Sequence, residues 1–162
     1  NNVPFFGICL GLQMAIIEYA RNVCRIKDAN TRESNKKTKN YLIDIMKNQK
    51  NIQEKGGTMR LGKYPCNLKK SSKAYNAYKK IKISERHRHR YEVNPSFHLK
   101  LKQNGLILSG LSPDGKLVEI IELKKHKWFL ACQFHPEFKS KPFLSHPLFK
   151  GFIKASTVSN ND

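Results

Sequence analysis

A cysteine between two glycines is the residue of this sequence best suited to act as a nucleophile. The run Gly7-Ile8-Cys9-Leu10-Gly11 follows a short apolar stretch and precedes apolar residues at helical spacing. A sharp turn from strand to helix holds a nucleophile in a strained backbone conformation, and flanking glycines remove Cβ atoms that would clash there. The positive end of the helix dipole favours thiolate over thiol. The pattern predicts a nucleophilic Cys9, with the N–H of Leu10 free to donate to an oxyanion.

A histidine and a glutamate near the other end of the chain could complete such a site. His135-Pro136-Glu137 directly follows an apolar stretch that reads as a strand. In an extended segment residues i and i+2 face the same way, so the Glu137 carboxylate could hold one ring nitrogen of His135 and aim the other at Cys9. A single histidine after a strand is more often a surface or core residue. Its pairing with the cysteine turn favours the catalytic interpretation.

Composition limits the class of protein to which the chain belongs. Its 162 residues are 39% hydrophobic, which suits one compact domain, and 31 basic against 12 acidic residues give a net charge of +19. No apolar run approaches the about 18–20 residues that span a bilayer, so we expect no membrane-spanning segment. The four cysteines form no CxxC pair. We predict no metal site, a reducing compartment, and buried apolar roles for Cys24, Cys66 and Cys132.

The spacing of apolar residues predicts alternating strands and helices. We expect helices over 11–23, 97–103 and 149–156, and strands or extended segments over 3–6, 41–46, 81–93, 106–111, 118–123 and 128–134. One partial domain is expected over 1–157, with a Lys/Asn-rich loop at about 34–55 and a tail over 158–162.

Five stretches of the sequence carry a family resemblance. Residues 4–13 and 133–138 resemble the class I (triad) glutamine amidotransferases, and residues 56–62, 85–94 and 117–122 resemble the CTP synthase family among them. The resemblance implies an α/β fold, with a doubly wound, mostly parallel sheet of the flavodoxin-like type. It also implies further N-terminal strands and a glycine-rich oxyanion loop, which we expect to be missing from this sequence. We therefore expect the chain alone to be inactive or nearly so.

The resemblance assigns a role to each of the residues that chemistry singled out. In that family the cysteine, here Cys9, forms a γ-glutamyl thioester with glutamine. His135 would be the base and Glu137 its orienting partner.

Three further positions match family positions that contact L-glutamine. Gln13 would lie beside the bound substrate, Glu33 would hold its α-ammonium group, and Arg90 would engage its α-carboxylate. A carboxylate and a guanidinium are the groups that a zwitterionic amino acid requires.

The resemblance also implies partners that lie outside this part of the protein. Ammonia would pass to a synthase domain of the same chain, which aminates UTP to CTP using ATP and Mg²⁺. GTP would be an effector, and the full-length enzyme would be a cytoplasmic homotetramer. No cofactor, membrane or specific nucleic acid is expected for this part.

Two alternative functions and one alternative site compete with this interpretation. The charge of +19 and the alternation of arginine and histidine over 85–90 are compatible with a nucleic-acid-binding module, although only Tyr91 is adjacent for base stacking. His87 and His89 could chelate a metal, but no third ligand is evident. A free-standing γ-glutamyl hydrolase would need no synthase domain, and the stretches that resemble CTP synthases count against it.

Overall fold

The computed structural model of the chain describes residues 2–45 and 59–157. The described residues therefore do not include 46–55 of the predicted Lys/Asn-rich loop, Gly56 and Gly57 of the 56–62 stretch, or the predicted 158–162 tail. In chain order the elements are β1 (Phe5–Ile8), α1 (Leu10–Asn22), β2 (Asn30–Thr31), β3 (Tyr41–Asp44), β4 (Arg60–Leu68), α2 (Lys73–Tyr78), β5 (Lys82–His89), β6 (Glu92–Val93), a 3-10 helix (Pro95–Phe97), α3 (His98–Gln103), β7 (Leu106–Leu111), β8 (Val118–Leu123), β9 (Phe129–Cys132), a second 3-10 helix (Pro136–Lys139) and α4 (Pro147–Thr157).

The strands form one large and one small sheet. The six-stranded sheet has the order β1-β9-β8-β7-β4-β5, and β2-β3-β6 form a three-stranded sheet. This confirms the α/β class, but the mostly parallel pairing needs correction for the described residues. In the large sheet β1 and β9 run parallel and the other pairs are antiparallel. For β7–β8 and β8–β9 the physical reason is the shortness of the connections over 112–117 and 124–128, since a parallel crossover takes about a dozen residues or more.

Two apolar cores lie on opposite faces of the large sheet. Successive residues of a strand point to opposite faces. Ile121 and Ala131 accordingly pack in one core with α1, whereas Ile120 and Leu130 pack in the other with Leu148 of α4. Helices therefore cover both faces. This leaves the edge of the sheet formed by the carboxyl ends of β1 and β9 for a site. No helix in the described ranges is long and apolar enough to cross a membrane.

Candidate active site

The turn at Cys9 has the strained geometry that the sequence predicted. Cys9 is the N-cap of α1 with φ 52° and ψ −100°, a region that non-glycine residues rarely adopt. A Cβ at Gly7 would lie 2.9 Å from the Cβ of Ala131, so only glycine fits there without a shift. A Cβ at Gly11 would meet nothing within 4 Å. The expected clash is therefore found at the first of the two glycines and not at the second.

The parallel register of β1 and β9 brings the two ends of the chain together. Ile8 pairs with Cys132, and the N–H of Cys9 donates to the carbonyl of Cys132 at 2.8 Å. His135 follows three residues later, and its N–H donates to the carbonyl of Arg86 on β5 at 2.8 Å. Because the carboxyl ends of parallel strands meet at one edge, Cys9 and His135 share that edge of the sheet.

His135 and Glu137 form the pair that their spacing suggested. His135 Nδ1 lies 2.5 Å from Glu137 Oε1, and the two side chains are 20% and 44% exposed. The His135 ring stacks on Phe138, with ring centroids 4.9 Å apart. Glu137 lies in a 3-10 helix and not in the extended segment that was expected. The contact at Nδ1 leaves Nε2 as the ring nitrogen available to a reacting group.

The Cys9 sulfur is half-buried, and its surroundings act on its ionisation in both directions. Burial is the largest influence and raises the pKa of the thiol. Hydrogen bonds from the N–H of Leu10 and from the side chain of Gln133 lower the pKa, whereas the charges of Glu137 and Glu92 raise it. The net pKa is raised, contrary to the lowering expected from the helix dipole. The resting sulfur therefore holds its proton and needs a base to remove it as it reacts.

The structure places the three predicted substrate residues differently. Gln13 lies in the first turns of α1, is 4% exposed, and its Nε2 donates to the carbonyl of Tyr91 at 3.2 Å. Arg90 directly precedes Tyr91 and is half-buried. Glu33 is exposed on the turn after β2, where its N–H donates to Thr31 Oγ1 at 3.2 Å. Gln13 thus contacts the segment next to Arg90, whereas Glu33 lies on the turn that follows β2 of the small sheet.

A buried charged cluster lies behind the site, and sequence reasoning did not find it. Arg60 Nη2 contacts Glu119 at 2.7 Å and Arg60 Nη1 contacts Glu92 at 3.3 Å. His87 Nδ1 lies 2.8 Å from His89 Nε2. The signal for this cluster in the sequence was the alternation of arginine and histidine in β5. The histidines of that strand are buried, whereas Arg86 and Arg88 are exposed.

Burial sets the charge state of this cluster. Loss of solvation, helped by the charge of Arg60, lowers the pKa of His87 to about 2 and that of His89 to about 3. Burial raises the pKa of Glu92 to about 8. The histidines are therefore neutral and bonded to each other. Within residues 2–45 and 59–157 no three histidine, cysteine, aspartate or glutamate side chains are grouped to hold a metal ion.

The three cysteines given apolar roles are buried, as predicted. Cys24, Cys66 and Cys132 are 4%, 1% and 0% exposed and have free thiols. Burial is the main cause of the raised pKa of each of these thiols.

Comparison with known proteins agrees with this geometry. The family model for class I glutamine amidotransferases matches residues 1–155. The chain is 59% identical over 156 residues to the CTP synthase of Chlorobium phaeobacteroides, covering 96% of this chain and 28% of that protein. It is 58% identical over 161 residues to the CTP synthase of Clostridium kluyveri, covering 99% of this chain and 30% of that protein. The chain thus spans about three-tenths of these relatives.

Solved structures show the same fold. The glutaminase domain of the Trypanosoma brucei CTPS, solved with bound acivicin, superposes with a TM-score of 0.89 at 39% identity, covering 96% of this chain and 61% of that one. A putative GMP synthase subunit from Thermoplasma acidophilum gives a TM-score of 0.61 at 18% identity, covering 96% of this chain and 58% of that one, and shows the fold alone. The flavodoxin-like type of fold that the resemblance implied is confirmed. The chain belongs to the class I glutamine amidotransferase family.

Proposed function

We propose that, within the full-length protein, this part hydrolyses the side-chain amide of L-glutamine at Cys9, and that the full-length protein uses the ammonia to aminate UTP to CTP. The observation that carries the proposal is the register of β1 and β9, which puts Cys9 and the His135–Glu137 pair at one edge of the sheet. The identity of 55–59% to CTP synthases supports the second part and does not favour a nucleic-acid-binding module or a free-standing hydrolase.

The first half of the reaction forms a thioester. His135 Nε2 takes the proton from Cys9 Sγ as the sulfur attacks the amide carbon of glutamine, and the N–H of Leu10 donates to the oxyanion that forms. Glu137 holds the other ring nitrogen and stabilises the imidazolium. The C–N bond then breaks, and His135 returns the proton to the departing nitrogen, which leaves as ammonia.

The second half restores the enzyme. His135 removes a proton from a water molecule, whose oxygen attacks the thioester carbon. The C–S bond breaks, and the proton passes from His135 to the departing sulfur, giving glutamate and the Cys9 thiol. The sum is glutamine and water converted to glutamate and ammonia, with no group consumed on the protein.

Charge complementarity would orient the substrate. Arg90 presents a guanidinium to the α-carboxylate, and Glu33 a carboxylate to the α-ammonium group. Gln13, below the same edge, would limit where the side-chain amide can lie. The short turn that carries Glu33 would have to bring its carboxylate over the Cys9 edge, which makes Glu33 the member of the set that a structure with substrate tests most directly.

The rest of the CTP synthase reaction is proposed for the full-length protein. ATP, Mg²⁺ and UTP would bind to its synthase domain, GTP would act as an effector, and the enzyme would be a cytoplasmic homotetramer. The support for these points is similarity to CTP synthases.

Covalent labelling of the full-length protein tests the nucleophile. An electrophilic diazoketone analogue of glutamine should add to one cysteine, and peptide mass spectrometry should locate the adduct on Cys9. Cys9→Ala should abolish both labelling and glutamine hydrolysis. Cys24→Ala, which changes a thiol buried in the core beside α1, should retain both. Glutamine hydrolysis by Cys9→Ala at the wild-type rate would overturn the proposal.

A further inference from the structure

Gln133 contacts the nucleophile directly, although it belongs to neither the predicted triad nor the predicted substrate residues. It directly follows β9 and is 0% exposed. Its Nε2 lies 3.7 Å from Cys9 Sγ, and its backbone N–H donates to the carbonyl of Glu119 at 2.9 Å. This backbone hydrogen bond ties Gln133 to β8, so the sheet holds the side-chain amide of Gln133 against the sulfur.

The direction in which this amide points follows from a backbone carbonyl. An amide side chain can present either its oxygen or its nitrogen to a neighbour, whereas a carbonyl oxygen only accepts. Gln13 lies 3.2 Å from the carbonyl of Tyr91, so Gln13 must present its nitrogen there. The same nitrogen lies 3.3 Å from Gln133 Oε1. Gln133 therefore turns its oxygen to Gln13 and its N–H to Cys9.

The Tyr91 carbonyl is itself fixed by a second donor. His89 Nδ1 lies 3.1 Å from this oxygen, so that ring nitrogen carries the hydrogen. His89 Nε2 is then an acceptor, and His87 Nδ1 donates to it at 2.8 Å. A carbonyl oxygen has two lone pairs, and Gln13 and His89 occupy both. One backbone oxygen thus orients side chains on both sides of it.

We propose that Gln133 is a further catalytic residue, which donates its N–H to the Cys9 sulfur, and that Gln13 is a positioning residue that holds Gln133 in the donating orientation. A donor at this place stabilises the anion more than the thiol and fixes where the sulfur lies. The donor bond does not depend on the substrate, but its effect on turnover rests on the proposed glutamine hydrolysis.

Alkylation of Cys9 by iodoacetamide tests the donor bond without glutamine. The rate of modification of the full-length protein is followed against pH by mass spectrometry of the Cys9 peptide. Gln133→Met keeps the volume of the side chain and removes the donor. The pH midpoint of the modification rate should therefore rise by about one unit, which means about tenfold slower modification at neutral pH. Gln103→Met, on α3 and exposed, is the matched control and should leave the midpoint unchanged.

A second variant tests whether Gln13 sets the orientation of the Gln133 amide. Gln13→Met frees the Gln133 amide to turn its oxygen to the sulfur, so the midpoint should again rise, by less than in Gln133→Met. The double variant should match Gln133→Met alone, because both changes act through one bond. An unchanged midpoint in a folded single variant overturns the proposal, and Gln13→Met decides it if Gln133→Met does not fold. A raised midpoint in a protein that does not hydrolyse glutamine would leave the donor bond standing and remove the proposed function.

Discussion

The histidine–glutamate pair at the sheet edge and one in the interior differ in their access to solvent. At the sheet edge His135 Nδ1 contacts Glu137 at 2.5 Å, and the side chains are 20% and 44% exposed. In the interior His87 Nε2 lies 3.6 Å from Glu119, and those side chains are 1% and 0% exposed. Arg60 bonds to Glu119 in the interior, so the buried carboxylate already has a cation as a partner.

The comparison shows that a shifted pKa does not by itself mark a catalytic group. Burial lowers the pKa of His87 to about 2, so this ring cannot exchange a proton near neutral pH. Shifted pKa values are commoner at functional sites, but structural ion networks produce them too. The interior pair orders the fold, whereas the edge pair lies where a substrate and water can reach it. Position relative to Cys9 separates the two roles.

The largest expected effect comes from removing the edge histidine. His135→Asn should lower the kcat for glutamine hydrolysis by about 10²–10⁴, the usual contribution of a general base, because the thiol then keeps its proton. The free energy of unfolding should change by less than about 0.5 kcal/mol, since a partly exposed side chain is involved. Steady-state kinetics and urea unfolding of the full-length protein measure the two quantities.

The matched control for this variant lies at the other end of the same strand. His126 precedes β9 and His135 follows it, so His126→Asn removes an imidazole far from the Cys9 edge. Its kcat should equal that of the wild type. A loss of activity as large as that of His135→Asn would contradict the division between the two regions.

The interior cluster should show the opposite pattern. Arg60→Met leaves the buried Glu119 without its cation and Glu92 without its hydrogen-bond donor, so the free energy of unfolding should fall by about 3–5 kcal/mol. Arg88→Met, an exposed position on β5, is the matched control and should change it by less than about 0.5 kcal/mol. Urea unfolding at pH 7 measures both. An Arg60→Met protein as stable as Arg88→Met would show that the cluster does not hold the sheet together.

Local patterns predicted some elements closely. The periodicity of apolar residues placed α1 within one residue of its bounds, and β7 and β8 have the bounds expected from their apolar runs. β4 was missed because Gly62 and Pro65 are rare inside strands, although β5 pairs with it along its length. Helix α2 was missed because the Glu122 carboxylate accepts from its first N–H groups, a contact between distant parts of the chain.

The distinction between local patterns and contacts of distant residues also applies to the site. Cys9, His135 and Glu137 lie in short runs whose chemistry can be read from neighbouring residues. The contact of Gln133 with Cys9 joins positions 124 residues apart. Gln133 lies within the stretch that resembles the family, but only the register of β1 and β9 shows which group its amide contacts. Sequence reasoning therefore finds the reacting groups and the neighbouring Glu137, and misses the contact that Gln133 makes across the sheet.

The smallest expected effect concerns the pH dependence of the interior. The pKa of Glu92 is about 8 in the folded protein and 4.5 is its ordinary value, which the unfolded chain takes. Between these values the folded state holds a proton that the unfolded state has lost, so wild-type stability falls as pH rises through this window. Glu92→Gln removes that loss. Its stability relative to the wild type should rise by about 1.4 kcal/mol per pH unit between pH 5.5 and 7.5.

Urea unfolding of both proteins across this range measures the difference directly. The contributions of His87 and His89 cancel in it, because both rings are neutral when folded in either protein. Glu18→Gln, on the exposed face of α1, controls for the loss of one negative charge from the chain. A stability difference between Glu92→Gln and the wild type that did not change with pH would mean that Glu92 is ionised in the fold. Arg60 would then hold two ionised carboxylates in the interior.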